Sequence, residues 1–349
     1  MSYSDQCRLK FLNIQGGDIP DSEYFKIKRL SNSKLKLINP TEGGSPELFL
    51  QGIPFKYNVS LLLGTAVHTQ LLQPEDFILS NYEGKPSGKC GYFIEKVCKY
   101  RKKGLPLYQA IEKASNEAEY YVGKLSSKIL RNAMVQGLEY YLKLSRGDFN
   151  VENKEVLVLP KKDLTTVKSC MRSVNKNQDI QRILTQTPFN EKEYYNEIAL
   201  FSDIEVTFHN GEKHIINFQG KLDSVVVDNS RKRIYLNDVK TTSRPVDCFM
   251  GRIFDGEVYN GGFESHHYYR QLACYAVMLQ AYCEKILKKI GYTMECNIFA
   301  VETTGDHQSR RFKINQSYIN EGLKEFKDLI CRVAYLEKYG IEQSYPDDI

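Results

Sequence analysis

The sequence predicts a mixed α/β chain, α+β in organisation, with a central mixed sheet flanked by helices. Two observations carry this. Between residues 196 and 242 the segments NEIALFSDIEVTF, KHIINFQGKLDSVVV and RIYLNDVKTT are rich in β-branched and aromatic residues, and the polar links HNGE and DNSRK join them as hairpin turns would. On both sides of this stretch the apolar spacing changes to three and four residues, the helical period. With 349 residues, 42% hydrophobic and 26% charged, and no repetitive tract, the chain has material for a substantial core, which excludes a disordered or fibrous protein.

Residues 1–57 read as an N-terminal arm, irregular apart from one short helix near LSNSKLKLI that Ser31 or Ser33 would cap and NPTEGGSP would end. NVSLLLGTAVHTQLLQPEDF follows as a buried helix, because its apolar residues cover most of a helical surface; it carries one histidine, His68, and Pro74 marks its end. From about 88 to 188 the pattern is helical, with PLYQAIEKASNEAEYYVGKLSSKILRNAMVQGLEYYLKL and TTVKSCMRSVNKNQDIQRIL as its main stretches, and this is expected to form a helical insertion. After the meander and a polar loop, the helix YYRQLACYAVMLQAYCEKILKKI, the strand ECNIFAVETT and the helix SYINEGLKEFKDLICRVAYLEKYG complete the order.

Charge is mild overall, +5, but concentrated in CKYRKKG, LPKKD and SRKR. Such runs suit a polyanion, and Arg101, Lys102, Lys103, Arg244 and Arg252 are the candidate nucleic-acid contacts; taken singly, each run reads more simply as a solvated face or turn. The N-terminus lacks the apolar core of a signal peptide, and no segment reaches the roughly 20 apolar residues that span a bilayer, so a cytosolic protein without a membrane partner is expected. The nine cysteines, an odd number with no C-x-x-C pair, are expected to be free thiols, with no disulfide and no zinc site.

The site is legible in GKLDSVVVDNSRKRIYLNDVKTT. Unpaired charge inside apolar strands costs several kcal/mol, roughly, unless something compensates it. Asp238 and Lys240 are two apart on one strand and so face the same way, with Val239 turned to the opposite layer, and Asp223 on the preceding strand can meet Asp238 on that face. Two neighbouring carboxylates call for a cation between them, and oxygen ligands favour Mg²⁺ or Mn²⁺ over zinc. A lysine beside such a pair can orient a nucleophilic water or offset charge at a phosphorane-like transition state. The same acid-x-Lys spacing occurs at Glu83, Glu152 and Glu325, in a turn or on expected polar faces; only Asp238 closes an apolar strand.

These residues resemble the PD-(D/E)xK nuclease superfamily, and within it the RecB-like and phage RecE-type exonuclease branch, over most of the chain. The resemblance rests on GTAVHTQLLQPEDF around His68, GKLDSVVV with Asp223, NDVKTT with Asp238 and Lys240, and QLACY with Gln271 and Tyr275, in the family's order. It implies a restriction-endonuclease-like core over 58–349. By the same resemblance His68, Asp223, Asp238 and the backbone carbonyl of Val239 bind the metal, Lys240 positions the attacking water, and Glu197, opening the first strand, is a further candidate ligand; a solvent-facing Glu197 is the equal alternative. Gln271 and Tyr275, four apart on one helical face, would brace the lysine or contact phosphate. His266, His267 and Tyr268 read as a solvated loop before that helix, with DNA contact as the second reading. Cys274, Cys283, Cys296 and Cys331 lack the spacing of the iron–sulfur cluster of some RecB-like nucleases, and no cluster is expected.

The function so implied is metal-dependent hydrolysis of DNA phosphodiesters, by an exonuclease acting on DNA ends in phage-type recombination or repair, in a host cytoplasm if phage-encoded. A single-strand-annealing protein and a homo-oligomer are the implied partners. The alternatives are an endonuclease, a CRISPR-adaptation-type trimming nuclease, and an inactive nuclease-fold DNA-binding module.

Overall fold

A computed structural model describes residues 7–52, 59–75, 77–120, 127–151, 155–185, 191–254 and 257–341. Two long strands, β6 (Lys192–Phe208) and β7 (Lys213–Asp228), form its spine. They pair antiparallel from Lys192↔Asp228 to Thr207↔Lys213, around a turn in which Gly211 supplies a left-handed φ of 81°. The strand β8 (Arg233–Thr242) adds antiparallel to β7, which completes the expected meander, and β11 (Thr293–Glu302) then runs parallel to β8 along its whole length. With β12 (Ser309–Lys313) antiparallel on β11, the sheet is mixed.

The N-terminal segment, expected to be irregular, instead contributes to this sheet. The strands β1 (Cys7–Phe11) and β2 (Gln15–Asp18) pair with successive parts of β6, and β3 (Leu30–Ser31) lies parallel to β7. The physical reason is the outer edge of the 17-residue β6, whose backbone N–H and C=O groups need partners that its own hairpin cannot provide. The expected short helix is present as Asn32–Leu35 with Ser31 at its N-cap, although the serine side chain makes no capping bond.

Helices cover both faces, as period-two alternation along the strands requires. On one face α8 (Tyr268–Lys285) and α9 (Gln316–Tyr339) pack Leu272, Met278, Phe326 and Ile330 against Leu200, Phe218, Leu236 and Ile298. On the other, α1 (Val59–Leu72), α6 (Lys161–Lys176) and α7 (Gln178–Leu184) pack against Val226, Tyr235, Val239 and Phe299. The stretch read as one helical insertion is therefore divided. Its helices α2 (Gly88–Lys102), α3 (Leu107–Glu117), α4 (Ser127–Gln136) and α5 (Leu138–Arg146) surround a small core of their own around Phe93, Ile94 and Tyr140, whereas α6 and α7 belong to the sheet. A strand interrupts it as well: β5 (Glu155–Leu159) pairs parallel with β4 (Phe77–Asn81), because EVLVL is too short and too β-branched for a helix. Two further short strands, β9 (Arg252–Phe254) and β10 (Glu257–Tyr259), make a hairpin in the loop before α8.

One ionic clasp holds the N-terminal segment to α8 and α9. The Arg270 guanidinium, 2% exposed, lies 2.6 Å from Glu42 Oε2 and 2.6 Å from Glu325 Oε1, and its Nε donates to Asn32 Oδ1 at 3.0 Å. The His267 imidazole adds a contact to Glu325 at 2.9 Å. Glu325, expected on a polar face, is thus a partly buried ion-pair partner. Replacing Arg270 with methionine leaves two carboxylates facing each other, and the expected loss of stability is about 3–5 kcal/mol by urea unfolding; a loss under about 1 kcal/mol would mean that the clasp counts for no more than a surface pair. Burial opposes ionisation of Glu325, but His267 and Arg270 prevail and hold its carboxyl below the usual range. A depressed folded-state value stabilises above the ordinary carboxylate pKa and is lost as pH falls through the folded one. Glu325→Gln is accordingly expected to flatten the acid limb of melting temperature against pH, and an unchanged acid limb would contradict this.

Candidate active site

Three strands and one helix converge where β7 and β8 part. Their last bridged pair is Ser224↔Asn237, so Asp223 and Asp238 are the next residues on each strand. The separation leaves room for side-chain chemistry between the backbones. Asp223 Oδ2 accepts the Val239 amide at 2.7 Å, which ties the two strands together just past the ladder. Asp238 is 2% exposed, and Lys240 Nζ stands 2.7 Å from its Oδ2. That ion pair is off the line of a hydrogen bond, so both oxygens of the Asp238 carboxylate lack an aligned donor. Val239 faces the α1 side, as alternation predicts.

The helix α1 brings His68 to these strands by close approach. A Cβ on Gly64 would stand 2.9 Å from Thr241 Oγ1, so at Gly64 the helix lies almost against β8. One turn later on the same helical face, His68 Nε2 lies 3.2 Å from Asp223 Oδ2 and 3.3 Å from Glu197 Oε1. Glu197 does not open its strand but sits inside β6, opposite Asp223, with a left-handed φ of 55°. It is buried and does not face solvent. Its Oε1 lacks a hydrogen-bond donor, while Oε2 pairs with Lys221 Nζ at 3.0 Å. Lys221 also reaches Asp21. Sequence reasoning missed this lysine, although it stands two residues before Asp223 on the same strand.

Burial and charge pull these groups in opposite directions. Burial disfavours the His68 cation, but the Asp223 and Glu197 carboxylates overcome it and push the imidazole up to about 9. Burial likewise penalises Asp223, yet His68, Lys240 and the Val239 amide hold its carboxyl below the usual range. Asp238 is pushed up to about 6, by burial first and by Asp223 next, against the pull of Lys240. Burial also raises Glu197, opposed by His68 and Lys221. Lys240 is buried, which lowers its pKa, but Asp238 and Asp223 more than reverse this and keep it cationic.

The supporting residues sit on α8. Tyr275 is buried against Gly220 of β7, where a Cβ would meet its ring at 2.6 Å, and its hydroxyl interacts with the Gln271 side chain. The lysine itself lies over the ring of Tyr268, 4.8 Å from Nζ to the centroid. Tyr268 opens α8, and His267 is its N-cap and belongs to the Glu325 clasp, so neither is part of a solvated loop. Of the basic candidates, Arg101, Lys102 and Lys103 are exposed at the C-terminal end of α2, where they also complement the helix dipole. Arg244 follows β8 two residues after its end and lines a pocket next to Lys240. Arg252 is in β9, and its side chain lies outside the described residues. Of the rival acid-x-Lys acids, Glu83 is an exposed partner of Lys161, and Glu152 lies outside the described residues.

The donor set fits a hard divalent cation. Ligand atoms of His68, Glu197 and Asp223 lie within 4.8 Å of one another, and Asp238 and Glu197 carry buried carboxylate oxygens without donors, which is costly unless a cation takes them up. Fold and site together define a PDDEXK-like domain. The chain belongs to the family described as PDDEXK-like domain of unknown function (DUF3799), whose model matches residues 145–345. That range holds Glu197, Asp223, Asp238, Lys240, Gln271 and Tyr275, and leaves out His68. No curated protein matches the chain. Among solved structures it is similar to a candidate exonuclease from Eubacterium rectale, at 12% identity and a TM-score of 0.37 over 67% of this chain and 75% of that one, a likeness too slight to argue from.

A glutamate held in the left-handed region within a strand costs about 1–2 kcal/mol, and such strain points to function. Glu197→Gly relieves both the strain and the buried carboxylate. The expected result is an equal or higher melting temperature in EDTA together with weaker Mn²⁺ binding by calorimetry; a lower melting temperature with unchanged Mn²⁺ binding would make Glu197 a structural residue.

Proposed function

We propose that the protein is a Mg²⁺- or Mn²⁺-dependent deoxyribonuclease, an exonuclease resembling the RecE-type branch that acts on DNA ends in phage-type recombination or repair. The observation that carries this reading is Asp238, a buried carboxylate with no aligned hydrogen-bond donor, beside Asp223 and in ion contact with a buried lysine. An acid so placed is destabilising on its own and is accounted for by a cation and an anionic substrate.

In this reading Asp223, Asp238, the Val239 carbonyl and His68 hold the cation, with Glu197 as a further ligand. A divalent cation there supplies Lewis-acid polarisation of the phosphate and activation of water. Lys240, cationic and fixed between Asp238 and the Tyr268 ring, orients the nucleophile and offsets charge that develops on the phosphate. Gln271 and Tyr275 support the strands from α8, with Tyr275 packed on Gly220. Substrate is gripped through phosphates, which carry no base sequence, so little sequence preference is expected. A single-strand-annealing partner and self-association belong to the same proposal by resemblance. Among the described residues no helix is long and apolar enough to cross a membrane.

The test is cleavage of end-labelled linear duplex and of closed circular DNA with Mg²⁺, with Mn²⁺ and with EDTA, beside Asp238→Ala. The expected result is metal-dependent loss of the linear substrate alone, reduced on the order of 10²–10³-fold in the variant. Nicking of the circle would replace the exonuclease by an endonuclease. Absence of metal-dependent cleavage in the wild type would leave a DNA-binding module.

A further inference from the structure

Lys221 stands on β7 two residues before Asp223 and so faces the same way. Its side chain is 12% exposed and is held on two sides: the ammonium lies 3.0 Å from Glu197 Oε2 and pairs with Asp21 of the short helix Asp21–Tyr24. It therefore takes up one oxygen of a carboxylate whose other oxygen, Oε1, lies 3.3 Å from His68. Lys240 does the same at the other edge of the locus, 2.7 Å from Asp238 Oδ2. Each outer carboxylate thus carries its own ammonium, whereas Asp223, on the middle strand, meets the His68 imidazole and the Val239 amide.

The charge of this arrangement limits what it can hold. Among the described residues, the carboxylates of Glu197, Asp223 and Asp238 face the ammonium groups of Lys221 and Lys240, which leaves a single negative charge; an imidazole ligand adds none. One divalent cation turns this into a single positive charge, which one phosphodiester neutralises. A second divalent cation would leave three positive charges in a buried locus, or would have to expel a lysine tied to two acids. Two such ions, roughly 3.5–4 Å apart in two-metal sites, repel one another strongly and need carboxylates free of other cations around both.

We propose that the site takes one divalent cation and that Lys221 sets this number, its ammonium holding the Glu197 oxygen that a second cation would need. The inference rests on the metal-dependent reading above. Lys221 acts through Glu197 as a positioning residue: with Oε2 fixed, Oε1 is left on the side of His68 and Asp223, where the three ligand atoms lie within 4.8 Å of one another. Asp21 keeps the ammonium in place from the side away from the cation.

The test counts Mn²⁺ bound to the full chain without DNA, by calorimetry and by electron paramagnetic resonance. Two Mn²⁺ that share a carboxylate give a spin-coupled spectrum, and isolated ions do not. The wild type is expected to bind one Mn²⁺ at the site without coupling. Lys221→Gln is expected to bind a coupled pair, the second ion at least about tenfold more tightly than any further ion on the wild type, and Lys221→Arg, which keeps the charge, only one. Melting in EDTA shows which variants are folded, and the wild-type spectrum decides even if Lys221→Gln is not. A coupled pair in the wild type, or a single uncoupled ion in folded Lys221→Gln, would overturn the proposal and leave the nuclease reading standing. A wild type that binds no Mn²⁺ would remove the metal-dependent reading and this inference with it.

Discussion

The structure depends on compensating charge inside a sheet. Glu197, Asp223 and Asp238 bring three carboxylates into one buried locus, and His68, Lys221 and Lys240 bring three basic groups to meet them. Neither set is tolerable alone, because an uncompensated buried charge costs several kcal/mol, roughly. The compensation is incomplete in one respect: Asp238 receives charge without a hydrogen bond, and one oxygen of Glu197 receives neither an aligned donor nor solvent. The backbone bends to keep this arrangement. Glu197 sits in a left-handed conformation in the middle of a strand, and the ladder between β7 and β8 ends one residue before the acids.

The helix α8 transmits this constraint to the rest of the molecule. Tyr268 and Tyr275, seven apart, share the face turned towards the strands, where the first lies under Lys240 and the second packs on Gly220. Arg270 points away from that face to Glu42 and Glu325. One helix thus holds the lysine's aromatic support, the spacing of β7, and the anchor of the N-terminal segment. Because the core that this helix packs into is close-packed, a shift at the clasp would be felt at the lysine.

What the sequence made legible followed from local periodicity. Alternation along GKLDSVVV and NDVKTT placed Asp223, Asp238 and Lys240 together and turned Val239 away, and the hairpin turns gave the order β6, β7, β8. What escaped it was non-local or conformational. The strands β1 and β2 are five and four residues long and owe their pairing to the open edge of β6, about 190 residues later. The parallel pair β4 and β5 joins segments with four helices between them among the described residues, and neither alone carries a pairing signal. The left-handed φ of Glu197 has no signature in a glutamate. Lys221, by contrast, was readable: it is two residues from Asp223, and the alternation that selected the aspartate selects the lysine as well.

The placement of the helical unit α2 to α5 shows how the chain between the histidine and the acids is accommodated. Both ends of the unit are joined by β4 and β5, and Lys85 fastens that root, with its ammonium 2.6 Å from Glu95 Oε1 and 2.6 Å from the Val158 carbonyl. Its core around Phe93, Ile94 and Tyr140 is separate from both cores that flank the sheet. The entropy of closing a long connection grows only slowly with its length, so such a unit costs the sheet little once its ends are fixed. His68 is then positioned by the contact of Gly64 with Thr241, whatever lies between α1 and β6. The acids and the lysine fall within residues 145–345 that match the family, and His68 precedes them, so this site is assembled by packing across the sheet rather than by one contiguous motif.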